Sequence, residues 1–374
     1  MKVYVGIDAH TTNYTMSTML EGAQNAINTN TYTARVSNIV QYCNAIRKKL
    51  GEDTEIIIGY EAGTPGFSLR RKLEKEGLKC MVLAPTSLPS TRMNKKYRKK
   101  NDKRDARGIA EDLCHHKYSE VHMPDEEDEA VRDYIRMRED LKKQQKETKQ
   151  QIGALCHRHG FHFEDGKYWT KKHRKWLREL PVEGYLKETL DGYLRTLDYC
   201  SDRIDEMDTK IETIAETDKY RESVHKLICF KGIKTLTALA LIVEIGDFTR
   251  FLKAKNFAAF LGLVSGMDDS GDNYSSLGIT KHGNRFLRKL LTEAAQCFSR
   301  SATKKSKELL RRQSGNTEET IAYADKANDR LRKRYYRLVL HNKKCVNKAN
   351  TALARELACF VWGMMTGNTH TILA

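Results

Sequence analysis

The stretch KKNDKRDARGIAEDL, residues 99–113, sets Asp102 and Asp105 three positions apart among basic and amide side chains and then runs into a helical pattern. Two further acids interrupt apolar strands at their exits, Asp8 in VGIDAH and Glu61 in IGYEAG. Positions i and i+3 of a helix share a face, and neighbouring strands bring their ends to one edge of a sheet, so the four carboxylates can converge. Converging carboxylates repel unless a cation sits among them, and hard oxygen ligands select Mg²⁺ or Mn²⁺. Such an ion neutralises a phosphodiester and polarises its scissile bond. A plainer reading makes Asp102 a helix cap and Asp105 a charge favoured at the helix's positive end. That reading leaves Asp8 and Glu61 unexplained, so the metal cluster is preferred.

Other chemistry-bearing residues lie downstream. In LICFKGIKTLTALALIVEIGD two apolar helical pieces hinge at Lys231 and Gly232, with Lys234 following, an arrangement like a helix-hairpin-helix whose loop amides grip a phosphate backbone. VSGMDDSGDNYSSLGITKHGN, residues 264–284, is rich in Ser, Gly, Asp and Asn and has no apolar period, which predicts a loop. Its serines read first as turn formers. Lys281 near its end and Arg285 and Arg288 just beyond it are placed to bind phosphate. CHRHGFH offers Cys156, His157, His159 and His162, but no partner pair stands at zinc-site spacing, and a frayed helix end is the better reading.

The elements that must position these groups follow from pattern. KVYVGIDA, NYTMSTML and NTYTAR are short, β-branched or aromatic-rich segments that predict three strands. SNIVQYCNAIRKKL predicts a helix capped by Ser37; EIIIGYEAG and KCMVLAP predict strands around a helix in PGFSLRRKLEKEG. This order predicts a mixed sheet covered by helices over residues 1–124. From 125 to 224 the chain turns charged and helical. A weak heptad from Val131 to Leu155 is broken by Arg138 and Gln145, and a clean one runs from Leu186 to Ile214, which together predict an antiparallel coiled coil. Residues 225–374 predict a mainly helical domain. The class is therefore α/β followed by α.

Composition limits the partners. The 374 residues hold 66 Lys+Arg against 49 Asp+Glu, a formal charge of +17, which predicts a polyanionic partner and nucleic acid first. The longest apolar runs, LTALALIV and LACFVWGMM, are too short for a bilayer, and no apolar leader opens the chain, so a cytoplasmic protein without a membrane partner is expected. Nine scattered cysteines without a CxxC pair suit reduced thiols.

Taken together, GIDAH, GYEAG, APTSLPS, NDKRDARGIA, GIKTLTALALIVEIGDFTRF and GITKHGNRFLRKLL resemble, in order, the bacterial insertion-sequence recombinases that are guided by a bridge RNA and combine a RuvC-like DEDD domain with a serine-bearing transposase domain. The resemblance runs from Lys2 almost to the C-terminus. It implies an RNase H-like fold in which Asp8, Glu61, Asp102 and Asp105 hold Mg²⁺. It implies that Ser270, before a glycine in DDSG, attacks DNA to form a phosphoserine link. It further implies a multimer, typically a tetramer paired through coiled coils, and a structured RNA that pairs with target and donor DNA. A serine ester conserves bond energy for resealing, in keeping with the lack of a Walker-type loop. The chain departs from the family where Ser265 replaces a proline beyond LGL, and in the acids Asp268, Asp269 and Asp272 around Ser270. Ser265, Ser275 and Ser276 remain rival nucleophiles. A metal-dependent junction-type endonuclease and a non-catalytic nucleic-acid scaffold remain the alternative activities.

Overall fold

The structure is a computed structural model that describes residues 1–85, 87–88, 101–270, 273–299 and 304–369, with the backbone alone for 267–270 and 273–277. The chain forms two compact units, Met1–Met123 and Pro124–Ala374.

The first unit contains β1 (Lys2–Ala9), β2 (Asn13–Leu20), β3 (Ile27–Thr33), α1 (Val36–Leu50), β4 (Glu55–Glu61), α2 (Ser68–Lys75), β5 (Lys79–Leu83) and α3 (Asp102–Cys114). Its five strands are ordered β3-β2-β1-β4-β5. β2 runs antiparallel to β1 and β3, whereas β4 and β5 run parallel to β1. The sheet is thus mixed, as the strand and helix order predicts. β1 and β4 are central and buried on both faces, which is why they read as continuous apolar runs. Val3, Val5 and Ile7 point to the side of α1 and α2, meeting Ile39, Cys43, Leu69 and Leu73. Tyr4 and Ile57 point the other way, to Ile109 and Leu113 of α3. The expected Ser37 cap is not found: Arg35 is the N-cap residue of α1, without a side-chain bond, and Ser37 lies inside the helix.

The second unit opens with α4 (Glu126–Arg158), α5 (Lys171–Arg178) and α6 (Gly184–Ala215). α4 and α6 pack antiparallel, since Arg138 reaches Asp208 while Gln145 reaches Ser201. Leu190, Leu197, Cys200, Ile204, Met207 and Ile211 form the buried stripe that their spacing predicts. Arg138 and Gln145, which interrupt the apolar seam of α4, are buried in it and paired across it. α7 (Arg221–Leu227), α8 (Thr235–Ile245), α9 (Ala254–Phe260), β6 (Ser265–Ser270), β7 (Asn273–Ile279), α10 (Arg285–Ala295), α11 (Lys307–Gln313), α12 (Glu318–Tyr336) and α13 (Val346–Thr366) follow. Leu239 and Leu241 of α8, Leu287 and Leu291 of α10, and Leu357 and Phe360 of α13 are all fully buried in its core.

The loop expected over residues 264–284 is instead largely paired: β6 and β7 form a two-stranded antiparallel sheet, with Ser265 paired to Ile279 and Ser270 to Asn273. The strands are polar in composition, so no alternation with apolar residues marks them, and the ladder rests on backbone pairing. Among the described residues no helix is long and apolar enough to cross a membrane.

Candidate active site

Helix α3 delivers Asp102 to the sheet through small residues. Gly6 of β1 lies against α3 so closely that a Cβ there would fall on the backbone of Ala106 and Ala110. Asp102, Ala106 and Ala110 are four residues apart and share one helix face, so the same face that touches Gly6 carries Asp102 past the end of β1. Along β1, Asp8 has the same parity as Tyr4 and Gly6, and so belongs to the α3 face. Glu61 has the parity of Ile57 and Gly59 on β4, and β4 is in register with β1 through Ile7 and Tyr60. Asn101 caps α3 with its side-chain oxygen, accepting from the Lys103 amide at 3.0 Å, so Asp102 is not the cap.

Three side chains meet at this corner. His10 Nε2 lies 3.4 Å from Asp8 Oδ2 and 3.6 Å from Asp102 Oδ1. One ligand atom from each of Asp8, His10 and Asp102 falls within 4.8 Å of the others. The Asp8 side chain is 16% exposed and that of Asp102 42%, so the group opens from the sheet edge towards solvent. Two carboxylates and one imidazole are a donor set that fits a divalent cation. Of the four acids singled out, the structure gathers Asp8 and Asp102; Glu61 and Asp105 stand outside this triplet and are engaged in contacts of their own. His10 was missed by the sequence reading, although it stands two residues beyond Asp8 in the same quoted motif. Among the described residues, Cys156 and the histidines around it form no such group, and His159 is simply the C-cap residue of α4.

Ser270 is the last residue of β6, and its side chain lies outside the described residues, as do Gly271 and Asp272. Ser265 starts the same strand, whereas Ser275 and Ser276 are on β7, paired with Asp268 and Met267. The base of this hairpin is firmly held. Thr280 N donates to Val264 O at 2.9 Å and Lys281 N to Gly262 O at 3.2 Å. Gly283, at φ +108°, lies where a Cβ would fall on the Phe260 carbonyl. Arg288 donates to the Leu261 carbonyl at 2.9 Å, and burial, followed by the neighbouring Arg285, pushes its guanidinium pKa down.

Asn284 ties the hairpin's exit to the long helix. Its Oδ1 accepts from Leu287 N at 3.1 Å, capping α10, and its Nδ2 donates to Glu244 Oε2 at 2.8 Å. The Glu244 side chain is 2% exposed and also accepts from Arg136 Nε at 3.0 Å and Arg132 Nη2 at 3.4 Å, both on α4. A buried carboxylate needs such partners. Sequence reading passed over Glu244, whose signal was an acid alone inside LTALALIVEI.

The residues expected to grip phosphate are distributed otherwise. Arg312 of α11 donates to the carbonyls of Ile228, Lys231 and Ile233, and the Lys231 amide donates to Asn328 Oδ1 at 2.9 Å. That amide is therefore used inside the fold. Gly232 lies against the Ala294 carbonyl, where no Cβ fits. Lys231 and Lys234 line an open groove of about 1180 Å³ whose charges are mixed: Lys142 and Arg311 are there, and so are Glu308, paired with Lys234, and Glu139, paired with Lys289. Arg285 begins α10, and Lys281 adopts φ +57° just before it.

Residues 5–159 match the model of the IS110-type DEDD transposases, and residues 224–311 match the model described as Transposase IS116/IS110/IS902 family. The chain is 32% identical over 360 residues to the transposase for insertion sequence element IS1533 of Leptospira borgpetersenii, covering 92% of this chain and 98% of that one. It is 29% identical to y4qE of Sinorhizobium fredii over 86% of this chain and 78% of that one. It is 26% identical to the transposase for insertion sequence element IS1111A of Coxiella burnetii, over 75% of this chain and 71% of that one. The chain belongs to the IS110/IS116 family of insertion-sequence transposases.

Proposed function

We propose that this transposase is an RNA-guided DNA recombinase that cuts and rejoins strands through a phosphoserine at Ser270, assisted by a divalent ion. The observation that carries the reading is the meeting of Asp8 and Asp102 with His10 at the sheet edge of a DEDD-type transposase. Asp8, Asp102 and His10 would hold the ion, with Glu61 and Asp105 completing its surroundings on the same edge. Oxygen donors suit Mg²⁺ or Mn²⁺, and the imidazole tilts the choice towards Mn²⁺. When bound, the ion supplies charge neutralisation at the phosphate and polarisation of the P–O bond.

Ser270 provides the nucleophile. One P–O bond forms to its oxygen as another breaks, the serine proton leaves and the departing strand end takes one up, so the number of ester bonds is unchanged and resealing needs no nucleotide cofactor. The hairpin base held by Gly283, Asn284 and Glu244 limits where that serine can travel. Lys231, Lys234, Lys281, Arg285 and Arg288 supply cationic contacts to nucleic acid; their attraction carries no sequence information, so a base-pairing guide RNA would choose target and donor. The first unit is read as RNase H-like and α4 with α6 as a coiled coil that pairs subunits into a tetramer acting on cytoplasmic DNA. A hydrolytic endonuclease on the same acids makes the opposite forecast for one variant. With cognate DNA, guide RNA and Mn²⁺, Ser270→Ala abolishes both cutting and strand exchange in a recombinase, whereas continued cutting would assign a hydrolase.

A further inference from the structure

A second cavity opens beside the carboxylate corner, on the other side of His10. It measures about 330 Å³ and is lined by His10, Tyr14, Arg35, Thr64, Ser68 and Lys72 among others. That volume is at the small end of those that hold small-molecule ligands. Its chemistry has one sign. Arg35 and Lys72 are cations that have no ion-pair partner among the described residues, Thr64 and Ser68 add hydroxyls, and no carboxylate is among the lining residues. Arg70, by contrast, is held by Glu74 and Glu120.

The backbone reinforces the same sign. α1 starts at the cavity with Val36 and α2 with Ser68; neither first turn holds an acidic residue and neither N-cap side chain bonds its helix, although Arg70 N of α2 donates to the Tyr60 hydroxyl at 3.3 Å. Two positive helix ends, a guanidinium and an ammonium around one small volume favour a phosphate. Tyr14 adds an aromatic wall of the kind that accepts a sugar or base. His10 is shared with Asp8 and Asp102, so a ligand here adjoins whatever binds at the corner.

We infer that this cavity takes one nucleotide of the DNA strand being cut, its phosphate on Arg35 and Lys72, next to the phosphate that meets Asp8 and Asp102. The inference rests on the reading of the corner as the cutting site. It gives the strand a path over the edge of the sheet, and makes Arg35 and Lys72 residues that position the scissile phosphate.

The test is binding of thymidine 5′-monophosphate to the full chain in EDTA, followed by ligand-observed NMR. The wild type is expected to bind in the millimolar range. Arg35→Ala with Lys72→Ala is expected to weaken binding by about tenfold, as is Ser68→Asp, which puts a carboxylate in the cavity and keeps both cations. Lys48→Ala with Lys49→Ala removes the same charge from the far end of α1 and should change nothing. No binding by the wild type, equal loss in the Lys48/Lys49 variant, or inorganic phosphate competing as well as the nucleotide would each overturn the inference. Uridine 5′-monophosphate binding about tenfold tighter would assign the cavity to RNA and overturn it too. EDTA removes the metal from the experiment, so failure of the metal reading would leave these results untouched and show itself only in Mn²⁺ binding.

Discussion

Gly6 lies against the backbone of Ala110, and this contact sets how near Asp102 comes to Asp8. Asp8 is two residues beyond Gly6 on the same strand face, and Asp102 is two helical repeats before Ala110 on the same helix face. A methyl group at position 6 must therefore lift α3 and part the two carboxylates. Gly6→Ala should cost about 1–3 kcal/mol of stability, as overpacking does. It should also weaken Mn²⁺ binding, read as the loss of Mn²⁺-dependent stabilisation in thermal unfolding. Asp8→Asn should abolish the Mn²⁺ shift without the stability cost; an unchanged shift in Gly6→Ala would separate the packing from the site.

The hairpin base offers a cleaner separation of folding from function. Asn284→Ser keeps a hydroxyl able to cap α10 but removes the bond to Glu244, whose carboxylate retains Arg132 and Arg136, so stability should fall by about 1 kcal/mol. Strand cutting should nevertheless drop by about tenfold, because the loosened hairpin holds its serine less well. Equal activity would mean that Glu244 serves the fold alone.

Across the long helix pair, the two partners of one ion pair should respond unequally. Arg138 is 10% exposed and bonds Asp208 through Nε at 2.6 Å and Nη2 at 3.0 Å, whereas Asp208 is 42% exposed. Asp208→Ala strands a buried guanidinium that retains only Glu139, and should cost about 1–2 kcal/mol after allowance for solvent. Arg138→Leu completes the apolar seam and leaves an acid that water can reach, so its denaturation midpoint should stay close to wild type.

A pH effect follows from His173. It is buried among Phe163, Tyr168, Trp169 and Trp176, its Nδ1 accepts from Trp169 N at 3.1 Å, and burial pushes its pKa below the ordinary histidine value. The neutral ring is thus the native form. Its contribution is complete above the unfolded pKa of about 6.5 and is lost as pH falls below that towards the depressed native value. Thermal melts should fall more steeply from pH 7.5 to pH 5 in the wild type than in His173→Gln; parallel slopes would contradict this.

What could be read from sequence depended on how burial writes itself into pattern. β1 and β4 were legible because strands covered on both faces are uniformly apolar, and an acid at the exit of such a run, as with Asp8 and Glu61, stands out. The stripe from Leu190 to Ile211 was legible for the same reason in helical period. β6 and β7 were not, since their pairing leaves no apolar alternation to detect. Arg138 and Gln145 looked like flaws in a seam and are instead partners of Asp208 and Ser201, a fact that resides in the opposing helix. Ser37 has the residue type of a cap, but the chain enters α1 at Arg35. His10 and Glu244 carried weak local signals, because one histidine or one acid acquires meaning only from neighbours distant in sequence.

The most direct test is to isolate the protein-linked DNA strand formed with cognate DNA, guide RNA and Mn²⁺ and to map the attachment by peptide mass spectrometry. The nucleotide should be found on Ser270, and the adduct should vanish in EDTA and in Asp102→Asn. An adduct on Ser265, Ser275 or Ser276, or one formed in full yield without a divalent ion, would contradict the account.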